Sequence, residues 1–219
     1  AAGLAALTAA MITDGGSRLR TREQLQKALY PLAAPFVAQV DKEMLRLGGT
    51  VHRDNLEAWW AIVHEMLTDP GFRAEDFARI RQQQVNAVRD SLRANNDEEL
   101  GKELLYEQVY GDAHPYGRLT LGHAGDLESI TLDDVRRFYR TQLVRGRLTL
   151  ALAGGYDDAA RDRIWSSTMR LDYIPRNTPP LLRVGVDFSR VEPHRRLARV
   201  DRQLDELQPR QRHADALAA

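Results

Sequence analysis

Cysteine is absent from the 219-residue chain. That excludes thiol catalysis, disulfides and thiolate metal sites, and leaves imidazoles and carboxylates as the strong metal ligands, with only six histidines to draw on. The absence suits cytoplasm and periplasm alike, so compartment stays open. Net charge is absent too: 31 lysines and arginines balance 31 aspartates and glutamates, so no global field draws in nucleic acid or a membrane surface. No apolar run approaches the roughly 20 residues needed to cross a bilayer. What is present, 43% hydrophobic residues over this length, is enough for a sizeable core, and one globular domain with an appendage is expected. The first dozen residues are apolar and alanine-rich, but carry neither a basic leader nor an initiator methionine. They are expected to be a helix of the mature protein whose upstream sequence, with any export signal, is missing.

Local signals divide the chain into mixed helices and strands. An apolar helix beginning at Gly3 is expected to stop at Asp14-Gly15-Gly16. Thr21-Arg22-Glu23-Gln24 is a capping box opening a helix to about Leu32. Phe36–Lys42 and Leu47–His52 have strand composition, and Asp54-Asn55-Leu56-Glu57 starts an amphipathic helix carrying Trp59, Trp60, Val63 and Met66. After the turn Asp69-Pro70-Gly71, one long helix is expected from Ala74 to Arg93 and another from Glu98 to Tyr110. Thr131-Leu132-Asp133-Asp134 caps a further helix to Leu143, Arg147–Ala153 has strand character, Asp157–Arg170 helical character, and Leu182–Phe188 fits one strand more. The order is irregular rather than alternating, which favours α+β with a largely antiparallel sheet. Residues 1–172 are expected to form that domain. Residues 173–219, punctuated by Pro175, Pro179 and Pro180 and then rich in arginine, glutamine and aspartate, are expected to form a linker and a polar tail.

Several chemically suggestive residues have plain explanations. His64-Glu65 opens an H-E-x-x-H pattern, but position 68 is Thr68, so the second ligand is missing. His52, His114 and His123 are scattered, and His114 before proline is expected to stabilise a turn. No serine stands in a G-x-S-x-G elbow. Trp59 and Trp60, about 100° apart on a helix, are expected to pack, with one of them nearer a boundary. The tail arginines, from Arg190 to Arg212, are interleaved with Asp201, Asp205 and Glu206 and lack aromatic stacking partners, which argues against nucleic acid.

One ordered series of signals carries more. Gly3-Leu4-Ala5, Asp14-Gly15-Gly16-Ser17, Gly49-Thr50-Val51-His52-Arg53-Asp54-Asn55-Leu56-Glu57, Thr68-Asp69-Pro70-Gly71-Phe72, Tyr110-Gly111-Asp112-Ala113-His114-Pro115-Tyr116-Gly117-Arg118 and Leu148–Gly155 together resemble a domain of the M16 peptidases, the insulinase, pitrilysin and mitochondrial processing peptidase family. The resemblance covers about Gly3 to Asp158. It implies a metallohydrolase-like roll, an antiparallel sheet with helices on one face. It also implies pairing with a second half, two halves closing around a peptide like a clamshell, of which typically one carries zinc.

The resemblance places the family's G-x-A-H-x-x-E-H motif on Gly3 to Ala10. The two histidine ligands then fall on Ala6 and Ala10 and the general-base glutamate on Ala9. The third ligand, a glutamate on a later helix, falls near Ala87-Val88, where Val85-Asn86-Ala87-Val88-Arg89 holds no carboxylate. A catalytic zinc needs three protein ligands and an open water position, and an alanine methyl offers no lone pair. The expectation is therefore no catalytic residue, no metal and no cofactor in this chain, zinc in a partner or upstream half, and extended peptide as substrate. Two other arrangements stay open. The chain is a piece of an active zinc metalloendopeptidase whose catalytic half lies upstream, or a stand-alone peptide-binding scaffold.

Overall fold

Helix α1 (Leu4–Asp14) is apolar almost all round, and Ala6, Leu7, Thr8, Ala9, Met11 and Ile12 are buried along it. A helix of that kind is stable only with neighbours on several sides. Here it lies between two cores: Ala9 and Ile12 belong to one, Leu7 and Met11 to the other. Its one mid-helix hydroxyl, on Thr8, donates back to the Leu4 carbonyl at 2.8 Å and so carries no unmet polar group inward. These relations come from a computed structural model, which describes residues 2–92, 97–111, 113–144, 147–168 and 181–189.

The remaining elements follow in chain order. Helix α2 (Arg22–Leu29) starts at the capping box expected there, Thr21 accepting from the Gln24 amide at 3.4 Å while Gln24 accepts from the Thr21 amide at 2.8 Å. Strands β1 (Val37–Val40) and β2 (Met44–His52) form a hairpin, followed by α3 (Leu56–Thr68) and α4 (Ala74–Asn86). After α4 the chain widens into a π-helical segment over Ala87–Leu92. Then come α5 (Asp97–Tyr110), α6 (Ala124–Ser129), α7 (Leu132–Gln142), β3 (Leu148–Ala153), α8 (Asp158–Thr168) and β4 (Leu181–Ser189).

The four strands form one antiparallel sheet in the order β1-β2-β4-β3, so the fold is α+β as expected. Along β2, Leu45, Leu47 and Val51 are buried while Arg46 and His52 are exposed, the alternation of a strand with one face on a core. Those residues join Leu148 and Leu150 of β3, Leu25 of α2, Trp59, Val63 and Met66 of α3, and Ile164 of α8 in the first core. Gly49 shares that face, and a side chain there would put its Cβ 2.0 Å from the Pro35 carbonyl oxygen and 2.9 Å from Trp59. The missing side chain lets the indole lie against the sheet. Trp59 is wholly buried, edge-on to Phe36, and its Nε1 donates to the Ala34 carbonyl at 3.2 Å. Truncating such a residue typically costs about 3–5 kcal/mol.

The second core joins α1 to Phe77, Ile80 and Val85 of α4, Val88 of the π segment, Leu127 of α6 and Val135 of α7. Both cores meet on α1, which therefore sets where everything else lies.

Three expectations change in detail. Strand β2 begins at Met44 rather than Leu47, because the turn at Asp41, whose amide donates to the Met44 carbonyl at 2.9 Å, starts the pairing three residues earlier. The helix expected to run unbroken from Ala74 to Arg93 is regular only to Asn86. Neither tryptophan reaches an exposed boundary: Trp60 is 7% exposed and its Nε1 donates to the Ser167 hydroxyl of α8 at 2.8 Å. One compact unit runs from Ala1 to Ser189 and so includes β4. The linker read at residues 173–180 and the polar tail at 190–219 lie outside the described residues.

Candidate functional site: an apolar cavity beside the first strand

Gly3 adopts φ 81°, the left-handed region where a side chain would be strained, and a Cβ there would meet the Leu121 carbonyl oxygen at 2.5 Å. Glycine thus brings the start of α1 against the loop at Leu121. Gln84 of α4 fastens the junction: its buried Nε2 donates to the Gly3 carbonyl at 3.2 Å and to the Leu121 carbonyl at 2.7 Å. At the other end of α1, Asp14 is gripped by Arg22 of α2 and Arg79 of α4, each at 2.7 Å. A carboxylate at a helix C-terminus faces the negative end of the helix dipole, and the two guanidinium groups offset that. Burial alone would lower the pKa of Arg79, but hydrogen bonds and charge from Asp14 and Asp76 hold it above the ordinary arginine value. Helix α4 is therefore tied to α1 at both ends of α1, and α2 at the Asp14 end.

Between these ties lies a cavity of about 730 Å³. Ala6, Ala9 and Ala10 of α1 line it, and so does Ala87 at the start of the π segment. The structure thus brings the three α1 positions together with one of the two later positions. Val88, the other, is buried in the second core. Leu25, Leu29, Phe36, Val40, Met66 and Ile80 supply apolar walls, with Thr13, Asp14, Arg22, Gln26, Gln83, Gln84 and Thr120 as the polar lining.

This donor set does not fit a catalytic zinc. Four methyl groups occupy the positions that the resemblance assigns to ligands and base, and Asp14, the one carboxylate in the lining, is committed to two arginines. Among the described residues no group of three or more His, Cys, Asp or Glu side chains is placed to hold a metal ion.

The other candidates are structural. Glu65 accepts from the Ser17 hydroxyl and pairs with Arg20 at 3.2 Å, while His64 lies 3.1 Å from the Ser167 carbonyl and packs beside Trp60. His114 accepts from the Tyr116 amide at 3.2 Å, the turn-stabilising bond expected of it. His52 does the same for Asp54 at 3.4 Å, and His123 stands at the N-cap of α6. The three are not brought together.

Sequence reasoning missed Gln84 and the Asp14 clamp. Gln84 sits in the run Gln82-Gln83-Gln84 with nothing to distinguish it, and Asp14 marks a helix end whether or not arginines reach it.

The first strand gives the site a second feature. β1 stands at the end of the sheet order and, among the described residues, pairs only with β2. Val37, Ala38 and Val40 of that strand also line the cavity. An unpaired strand edge and an apolar cavity therefore adjoin.

No family model and no curated protein matches the chain. Among solved structures, it is similar to the peptidase M16 inactive domain from Pseudomonas fluorescens, with 26% identity and a TM-score of 0.55 over 64% of this chain and 33% of that one. It is also similar in fold to a protease from Helicobacter pylori, with 19% identity and a TM-score of 0.51 over 63% of this chain and 32% of that one. The chain spans about a third of the length of each. No described helix is long and apolar enough to cross a membrane. The resemblance drawn from the ordered sequence signals is thereby borne out, and the chain carries an M16 peptidase-like domain, similar in fold to the Pseudomonas fluorescens one.

Proposed function

We propose that this chain is the non-catalytic half or subunit of a two-part M16-type zinc peptidase. It forms one wall of a clamshell chamber and helps to enclose an extended peptide whose cleavage occurs on a zinc-bearing partner. The observation that carries this reading is the convergence of Ala6, Ala9, Ala10 and Ala87 on one cavity beside the edge of β1 that is unpaired among the described residues. The scaffold that would present a metal is there, and the lone pairs are not. A free edge holds an extended chain through main-chain hydrogen bonds with little demand on sequence, which suits a wall that must accept varied peptides.

The test is metal and activity analysis of the purified chain. It is expected to hold no stoichiometric zinc and to cleave no peptide in a chelator-sensitive manner, while co-purifying with a zinc-bearing M16-type half. Chelator-sensitive cleavage that survives stringent purification overturns the reading.

A second arrangement is supported by length, since the neighbours are about three times as long as the stretch matched. Here the zinc-bearing half belongs to the same polypeptide, upstream. Zinc in the longer protein, lost on mutating an upstream H-x-x-E-H, selects this arrangement over a separate subunit.

A further inference from the structure

The cavity has a chemistry of its own. We propose that it receives two alternate apolar side chains of an uncharged, extended peptide segment lying along β1. This rests on the reading of β1 as the edge that holds peptide, and adds the side-chain selectivity that backbone pairing lacks.

Size is the first argument. About 730 Å³ lies within the range of sites that hold whole small ligands, and exceeds what one side chain fills. Positions 6, 9, 10 and 87, which line it, present nothing larger than a methyl group. Charge is the second. Asp14 and Arg22, the two charged residues of the lining, are paired with one another at 2.7 Å. A charged ligand side chain would leave water without a counter-ion waiting for it.

Geometry is the third argument. Ala38 and Val40 of β1 pack against the first core and alternate with exposed Val37 and Gln39, of which Val37 also borders the cavity. A strand paired to the outer edge of β1 carries its same-face side chains beside those of Ala38 and Val40, toward the same helix layer. Successive side chains on that face stand about 6.7 Å apart. Two of them enter the space bounded by Leu25, Leu29 and Ile80, while the intervening side chain points away.

The probe is a fluorescein-labelled octapeptide of threonine and glutamine with leucine at two alternate positions, titrated with the whole chain and followed by anisotropy. Replacing both leucines with serine is expected to weaken binding about a hundredfold, and moving one leucine to the neighbouring position about tenfold. Ala10→Phe and Ala87→Leu, which fill the cavity, are each expected to weaken the leucine peptide about tenfold or more. Circular dichroism and thermal unfolding check that each variant folds, and the two variants lie on different helical segments.

Methylating alternate backbone amides of the peptide tests the edge separately. Sensitivity to methylation without dependence on leucine leaves the edge reading standing and overturns the cavity inference. Dependence on leucine without sensitivity to methylation overturns the edge reading, and with it the placement of the peptide along β1. If no leucine peptide binds, or if 1-octanol occupies the cavity and the leucine peptide does not compete with it, the inference falls.

Discussion

If Ala6, Ala10 and Ala87 stand where metal ligands would stand, putting the ligands back should create a zinc site. The perturbation is a single chain carrying Ala6→His, Ala9→Glu, Ala10→His and Ala87→Glu. Positions 6 and 10 are one helical turn apart on α1, and position 87 lines the same cavity. Each change gives up the helix propensity of alanine, at most about 0.7 kcal/mol apiece, so the apo variant should be destabilised by no more than about 3 kcal/mol from that source. The four positions line the cavity, and any overpacking at buried Ala6 and Ala9 adds to that cost. Zinc at a hundred times its dissociation constant returns about 2.7 kcal/mol. For a domain of this size that corresponds to a rise in Tm of about 5–10 °C. The assay is thermal unfolding with zinc and with excess chelator. The natural chain should show no zinc-dependent shift. Moving the last glutamate from position 87 to position 88 should abolish the gain, because Val88 is buried in the second core rather than in the cavity wall. A rebuilt variant that folds, by circular dichroism, yet melts at the same temperature with and without zinc refutes the placement.

Gly49→Ala should destabilise the domain by about 1–3 kcal/mol in urea unfolding, because the new Cβ meets the Pro35 carbonyl oxygen at 2.0 Å and backbone cannot step aside. A neutral result would mean that the Trp59 contact with the sheet is looser than described. Thr131→Ala should cost about 0.5–2 kcal/mol, since it removes the acceptor for the Asp134 amide in the cap of α7, and Thr131→Ser should restore most of it. Tyr139, whose hydroxyl donates to the Leu67 carbonyl at 2.7 Å, has its pKa pushed up from 10 to about 12 by burial, with a smaller effect from Asp69. The folded state therefore disfavours the phenolate, so this contribution to stability is complete below about pH 10 and is lost as pH rises toward about 12. Melting curves across that window should fall more steeply for the natural chain than for Tyr139→Phe.

How far these features were legible in the sequence follows from how local each one is. The capping boxes at Thr21 and Thr131 are complete within four residues, and both are found as read. The start of β2 is harder, because Met44-Leu45-Arg46 holds no β-branched residue and acquires strand geometry from pairing, Leu45 with Val40, Arg46 with Gln39 and Met44 with Ser189. The π segment leaves no trace in composition, since Ala87-Val88-Arg89 suits a regular helix equally well. The cavity was legible only through likeness. Alanines at 6, 9 and 10 are ordinary helix formers, and what sets them apart is their alignment with a motif whose chemistry they lack. Gln84 and the Asp14 clamp depend on residues up to 81 positions apart in the chain, beyond the reach of any local pattern.

The strand order has a consequence for how the domain is made. β4 is the last described strand in the chain, yet it lies between β2 and β3 and bonds to both. Until residues 181–189 leave the ribosome, β3 has no sheet to join and the far edge of β2 stays open. Pairing Met44 with Ser189 closes a loop of most of the domain, the kind of non-local contact that slows folding and prolongs exposure of sticky edges. Chains ending before Ser189 should therefore aggregate, and a nascent chain has most need of a chaperone just before β4 arrives.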